Sequence, residues 1–127
     1  MQRVAYVGLA SLCLTGCTVT RLDLPTEPVR MTIVQRHAKP IPGSKNMVGV
    51  RIGDITGGQV LLTVDRMCRK AIVDTVSVQT GDVIPFRLGE NQYYLKVIEL
   101  RNLLIGDDFG VFDISSTPPA VGAAEKP

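Results

Sequence analysis

VGVRIGDITGGQVLLTV, from Val48 to Val64, is the stretch on which the fold turns. Val48, Val50 and Ile52 alternate with Gly49, Arg51 and Gly53, the period of two that a half-buried strand requires. Val60, Leu62 and Val64 resume that period. Between the two runs stands Thr56-Gly57-Gly58-Gln59. Glycine reaches positive φ at no steric cost, so this sequence favours a tight turn. The two runs predict an antiparallel hairpin.

The same period recurs on either side. Val29, Met31 and Ile33 alternate with Arg30 and Thr32. Ile72 to Gln79 is rich in β-branched residues and is followed by the turn sequence Thr80-Gly81-Asp82. Ile84, Phe86 and Leu88 alternate with Val83, Pro85 and Arg87, and Pro85 places this strand at an edge or beside a bulge. Gly89-Glu90-Asn91 predicts the next turn, and Tyr93–Leu100 the next strand. Leu103, Leu104 and Ile105 form an apolar link, Gly106-Asp107-Asp108 turns the chain, and Phe109–Ile114 is the last strand. No apolar stripe at helical spacing exceeds about two turns. Met67–Ile72 and Asn102–Ile105 have room for one helical turn each. Six to seven short strands imply an all-β fold. It is either a small, partly open antiparallel barrel (SH3-like or OB-like) or a compact sandwich, which spacing alone does not separate.

One strand breaks its own period. Tyr93, Leu95 and Val97 share a face, whereas Ile98 and Leu100 fall on the opposite phase. A slip of one residue would expose the whole apolar set of a half-buried strand. A β-bulge near Val97-Ile98 resolves the conflict and bends the strand. The alternative is a strand buried on both faces with Lys96 near an opening.

The N-terminus carries a different pattern. Arg3 is followed by an uncharged run from Val4 to Leu14, which ends in Leu14-Thr15-Gly16-Cys17. The run has the length of a signal-peptide core and is too short for a membrane span of about 20 residues. Charge order, length and the final four residues together resemble the signal and lipobox of a bacterial lipoprotein. The resemblance covers only about the first 20 residues of the chain. It implies removal of residues 1–16, a diacylglyceryl group on the Cys17 sulfur and an acyl group on its new amine. Two or three acyl chains hold a protein stably on a membrane where one does not. Thr18 stands where an aspartate would favour the inner membrane, so the resemblance implies the outer membrane, with the domain facing the periplasm.

Organisation follows from this reading. Cys17–Pro28, with Thr18, Thr20, Pro25, Thr26 and Pro28, reads as a lipidated tether. Its reach is about 40 Å at most. Residues 29–114 form the β-domain. The segment 115–127, with Pro118-Pro119 and Gly122, lacks apolar mass and reads as a disordered tail. What remains of the 127 residues after cleavage is of one-domain size. The 14 basic residues against 12 acidic lose Arg3 with the signal. Such a balance predicts no general affinity for nucleic acid or anionic lipid. Of the three cysteines, Cys13 leaves with the signal and Cys17 takes lipid. Cys68 is then solitary. It reads as a buried apolar residue, or else as an intermolecular or reactive thiol.

No constellation carries visible chemistry. His37 is the sole histidine and precedes the Pro40–Pro42 turn, where an exposed loop position is the simpler reading than a partner for Cys68. One histidine and one usable cysteine do not make a zinc site. Asp107, Asp108 and Asp113 lack the alternate spacing of a calcium loop, and Asp107 reads as a turn residue. Arg66-Met67-Cys68-Arg69-Lys70 is the densest cluster of cations. It is a solvated strand edge or a contact patch for an acidic partner, with Met67 as its apolar centre. Tyr93 and Tyr94 face opposite sides of their strand, so one enters the core and the outward one is a candidate interface anchor.

The chain therefore reads as a membrane-anchored lipoprotein whose β-domain is a binding or adaptor module and not an enzyme, a component of an envelope-spanning secretion or pilus assembly. Arg66, Met67, Arg69, Lys70 and Tyr94 are its candidate partner-binding residues and Cys17 its lipidation site. The expected partners are the membrane and an envelope protein, with no nucleic acid, no metal and no cofactor besides the covalent lipid. The alternative is a periplasmic immunity or inhibitor protein against a cell-wall-degrading toxin. A third reading, a hydrolase of cell wall or lipid, requires a cleft with converging titratable groups.

Overall fold

The computed structural model describes residues 19–66, 71–103 and 105–119. It is all-β, with eight strands: β1 (Val29–Val34), β2 (Ala38–Pro40), β3 (Val48–Thr56), β4 (Gln59–Arg66), β5 (Ala71–Gln79), β6 (Val83–Leu88), β7 (Asn91–Arg101) and β8 (Phe109–Ser115). They form two antiparallel four-stranded sheets, ordered β1-β8-β7-β6 and β2-β3-β4-β5. The chain passes from one sheet to the other between β1 and β2 and back between β5 and β6. The ladders do not close into a barrel, so the compact sandwich is the architecture formed.

The hairpin of β3 and β4 turns at Gly57-Gly58, with φ of 60° and 78°, and Thr56 lies opposite Gln59. Both central residues at positive φ define the mirror-image turn whose twist matches paired strands. In β3 the register shifts between Ile52 and Ile55. Gly53 and Asp54 together oppose the single Leu61, and this one extra residue changes the phase of the strand, so that Ile52 and Ile55, three apart, are both 2% exposed. β7 carries the bulge expected from its broken period. Val97 lies opposite Phe112 and Glu99 opposite Val111, leaving Ile98 as the extra residue. Leu100 is thereby returned to the core side. Pro85 sits on β6, an outer strand of its sheet, where a missing N–H costs no ladder bond.

Two expectations change. Among the described residues the strands number eight, because Ala38–Pro40 pairs with β3. All three of its residues are exposed, so it has no apolar alternation to reveal it. Ile72 belongs to β5 and not to a helical turn.

The core fills the space between the sheets, with Ile33, Val48, Val50, Leu62, Val64, Leu88, Leu95, Val97, Phe112 and Ile114 each fully buried. Phe86 and Tyr93 pack tilted, their ring centroids 5.7 Å apart. The sheets are laced together on one side by Gly81 N–H to Val97 O (2.8 Å) and Val97 N–H to Asp82 O (2.9 Å). On the other side Ile52 N–H donates to His37 O (3.0 Å) and Arg36 N–H to Gly53 O (3.1 Å).

The registers define two ends of the sandwich. Val48 faces Arg66, Leu88 faces Asn91 and Val29 faces Ile114. The β2–β3 link, the β6–β7 turn and the N-terminal side of β1 therefore share one end. The Gly57-Gly58 turn, the Thr80–Asp82 turn and the β7–β8 link share the other.

Candidate functional site

The segment that enters β1 does not hang free. Leu22 is 4% exposed and belongs to the core cluster. Its N–H donates to the Tyr93 hydroxyl at 2.9 Å. The next amide, Asp23 N–H, donates to Gly43 O at 2.9 Å. Thr20 O accepts from Asn91 Nδ2 at 2.6 Å, and Val19 O accepts from Arg66 Nη1 at 2.7 Å. Leu24 packs against the same core. Val19–Leu24 is thus a strap laid across one end of the sandwich. It is held by one apolar plug and four hydrogen bonds that reach both sheets. Burying a leucine side chain contributes about 1.5–3 kcal/mol, and each net hydrogen bond about 1 kcal/mol.

Two glycines make room for it. A Cβ on Gly43 would lie 2.4 Å from Asp23 O, and one on Gly89 would lie 2.8 Å from the Thr20 Cβ. Glycine at these positions lets the strap approach the backbone of both links. A cavity of ≈ 380 Å³ lies between the strap and the Gly43–Lys45 link, with Arg21 and Lys45 on its rim and Ser44 and Asp23 in its lining. Ser44 is fully buried, and its hydroxyl is bonded to the backbone of Val48.

Of the expected tether Cys17–Pro28, Val19–Leu24 is packed onto the domain, while Pro25–Pro28 is exposed. The apolar Leu22 and Leu24 find partners in β7 and the core, which a polar, proline-containing stretch does not announce. The expected tail loses its first residue to the fold as well, since Ser115 ends β8 and is 6% exposed.

Of the candidate partner-binding residues, Arg66 ends β4 and is half-buried, its guanidinium holding the strap. Met67, Arg69 and Lys70, like Cys68 and the lipidation site Cys17, lie outside the described residues. Tyr94 stands half-buried on the outer face of β7, opposite Pro85 and Ser115. Tyr93 points into the core, as the strand period requires. Arg66 and Tyr94 lie on different sheets and do not form one patch.

Two of the three candidate acids, Asp108 and Asp113, are engaged. Asp108 Oδ1 accepts from Leu103 N–H at 2.7 Å, locking the β7–β8 link. Asp113 forms a bidentate pair with Arg30, at 2.9 and 3.1 Å. This bond and its charge raise the pKa of Arg30 above the usual arginine value. His37 is exposed in the link before β2, with Nδ1 2.9 Å from Gln35 O. Among the described residues no group of three or more His, Cys, Asp or Glu side chains could hold a metal ion.

A second feature lies along β5. It is an outer strand, and Val76 lies opposite Leu62, on the inward face. Yet Val76 is 39% exposed where Leu62 is 0%. Outer strands are normally blunted by charge, proline or shortness. β2 is three residues long and contains Lys39 and Pro40, β6 carries Pro85, and β1 carries Arg30. Two register shifts bend the first half of β5, but from Val76 to Gln79 it pairs regularly and holds neither charge nor proline. Leu61, beside it on the outer face of β4, is 54% exposed.

Neither the strap nor this open edge was foreseen from sequence. The available signals were Leu22 and Leu24 inside a polar stretch and the absence of a gatekeeper in Val76–Gln79. No family model, no curated protein and no solved structure matches this chain.

Proposed function

We propose that the chain is a lipid-anchored binding module of a bacterial envelope. Its β5 edge takes up an extended segment of a protein partner in an envelope assembly. The lipid reading rests on Leu14-Thr15-Gly16-Cys17 and the apolar run before it. The observation that carries the binding reading is Val76, which faces inward and is nevertheless 39% exposed. An added strand would bond to the β5 edge at Ser77, short of Gln79, whose backbone is engaged by Asp82, and would cover Val76 with an apolar side chain. In such strand addition, main-chain hydrogen bonds supply affinity and side-chain pockets supply selectivity. Leu61 gives the same partner an apolar contact on the outer face. No catalytic step is assigned to any residue.

The test is co-purification from detergent extracts after mild cross-linking. The protein should be recovered in a stoichiometric complex with a larger envelope protein, and Val76→Asp or Ser77→Pro should abolish that recovery without unfolding the domain. Recovery only as a monomer contradicts the reading. A complex that survives both substitutions places the partner elsewhere.

A further inference from the structure

We infer that the strapped end of the sandwich is a membrane-facing surface and that its occupant is the bilayer carrying the Cys17 lipid. The inference rests on the lipoprotein reading of the N-terminus and goes beyond it. A lipid anchor alone says where a protein is, not which way it faces.

The geometry begins with chain length. Cys17 and Val19 are two peptide units apart, so their Cα atoms are separated by no more than about 7 Å. Val19 is already fixed, through its carbonyl, by Arg66. Thr20 is fixed by Asn91, Leu22 by Tyr93 and the core, and Asp23 by Gly43. The free chain between the acylated cysteine and the first fixed atom is too short to lift the domain away or let it tumble. A tether of the whole Cys17–Pro28 length would allow both.

The registers then set the orientation. The β6–β7 turn at Gly89-Glu90 and the Gly43–Lys45 link adjoin the strap and meet the headgroups. Arg21 and Lys45 are exposed there, on the rim of the strap cavity, in position for lipid phosphates. The nine residues of β3 and of β5 carry the opposite end about 30 Å outward. The Gly57-Gly58 and Thr80–Asp82 turns therefore point away from the bilayer. The β5 edge rises from the membrane surface and is open to a partner approaching along it.

The chain contains no tryptophan, so single tryptophans report without background. Glu90→Trp marks the strapped end and Thr80→Trp the far end; both residues are exposed in turns. Each full-length, lipid-bearing variant is added to vesicles of phosphatidylethanolamine and phosphatidylglycerol that carry a dansyl group on the phosphatidylethanolamine headgroup. Energy transfer from position 90 should exceed that from position 80 several-fold. Inserting a flexible Gly/Ser stretch of about ten residues between Thr18 and Val19 should bring the two signals close together. Equal transfer without the insertion, in lipid-labelled and vesicle-bound protein, overturns the orientation and leaves the lipoprotein reading standing. A difference that survives the insertion keeps the strapped end as the membrane-facing surface and assigns its orientation to contacts of that end itself, Arg21 and Lys45 among them, in place of the short anchor. Absence of lipid from Cys17 in the purified natural protein overturns the reading on which the inference rests.

Discussion

At the end of the sandwich away from the strap, several turns are closed by residues a few positions apart, beside longer-range bonds such as Gln35 N–H to Asp108 O at 2.9 Å. Gly57 and Gly58 adopt positive φ within one hairpin, and Gln79 N–H donates to Asp82 Oδ2 three residues on, at 2.9 Å. Leu103 N–H donates to Asp108 Oδ1 five residues on. At the strapped end the closing bonds run from Leu22 to Tyr93 and from Asn91 to Thr20, each 71 residues apart in sequence, and from Arg66 to Val19, 47 apart. The local bonds of the far end are set by a few neighbouring residues, and its longer-range bonds are added to them. The bonds of the strap exist only when both sheets are in place, and they tie the chain's entry to each of them. The strapped end thereby commits the N-terminal segment to a fixed position.

Substitutions that treat the two ends alike separate these accounts. The largest effect is expected from Leu22→Ala. Removing a buried leucine side chain costs about 2–5 kcal/mol, and here it also withdraws the plug that seats the strap. Leu61→Ala, at a side chain 54% exposed, should stay within about 0.5 kcal/mol. Urea unfolding of both variants measures the difference, and equal effects would mean that Leu22 is not seated in the core.

Two glycines give the sharpest contrast. Gly57 and Gly89 have nearly the same φ, 60° and 62°. A Cβ on Gly57 meets nothing within 4 Å, whereas one on Gly89 lies 2.8 Å from Thr20. Gly57→Ala should cost about 1–2 kcal/mol, the conformational strain alone. Gly89→Ala should cost distinctly more, because Thr20 must be displaced. The excess should vanish in a Thr20→Gly background, in which Gly57→Ala is unchanged. A Gly89→Ala variant no worse than Gly57→Ala would show that the strap does not lie on the turn.

Tyr93→Phe leaves the Leu22 N–H without its acceptor in a buried place, and should cost about 1–3 kcal/mol by the same measurement. The smallest effect belongs to the far end. Asp82→Ala removes an exposed turn bond that water replaces, and should change stability by less than about 1 kcal/mol.

The same division explains what could be read from the chain. The hairpin at Gly57-Gly58, the edge position of Pro85, the opposite facings of Tyr93 and Tyr94 and the bulge at Ile98 all follow from residues within a few positions. Local sequence states such features directly. The bulge at Gly53-Asp54 had a signal too, in the three-residue spacing of Ile52 and Ile55. β2 had none, because three exposed residues have no apolar period. The strap was out of reach for a different reason. Leu22 is buried by a strand some seventy positions away, and Val19–Leu24 taken alone is a short polar-looking segment beside prolines. Arg66 shows the consequence most clearly. Counted among neighbouring cations it reads as a contact for a partner. In the fold its guanidinium holds the chain's own Val19 carbonyl.

Amide hydrogen exchange at Leu22 and Asp23 tests the strap most directly, since both N–H groups have defined acceptors, Tyr93 Oη and Gly43 O. Both amides should be protected to nearly the degree of core amides such as Leu95 and Val97, and Leu22 should lose that protection in Tyr93→Phe. Exchange of Leu22 and Asp23 at the rate of an unstructured peptide, in a protein whose β7 amides remain protected, would contradict this seating of the strap.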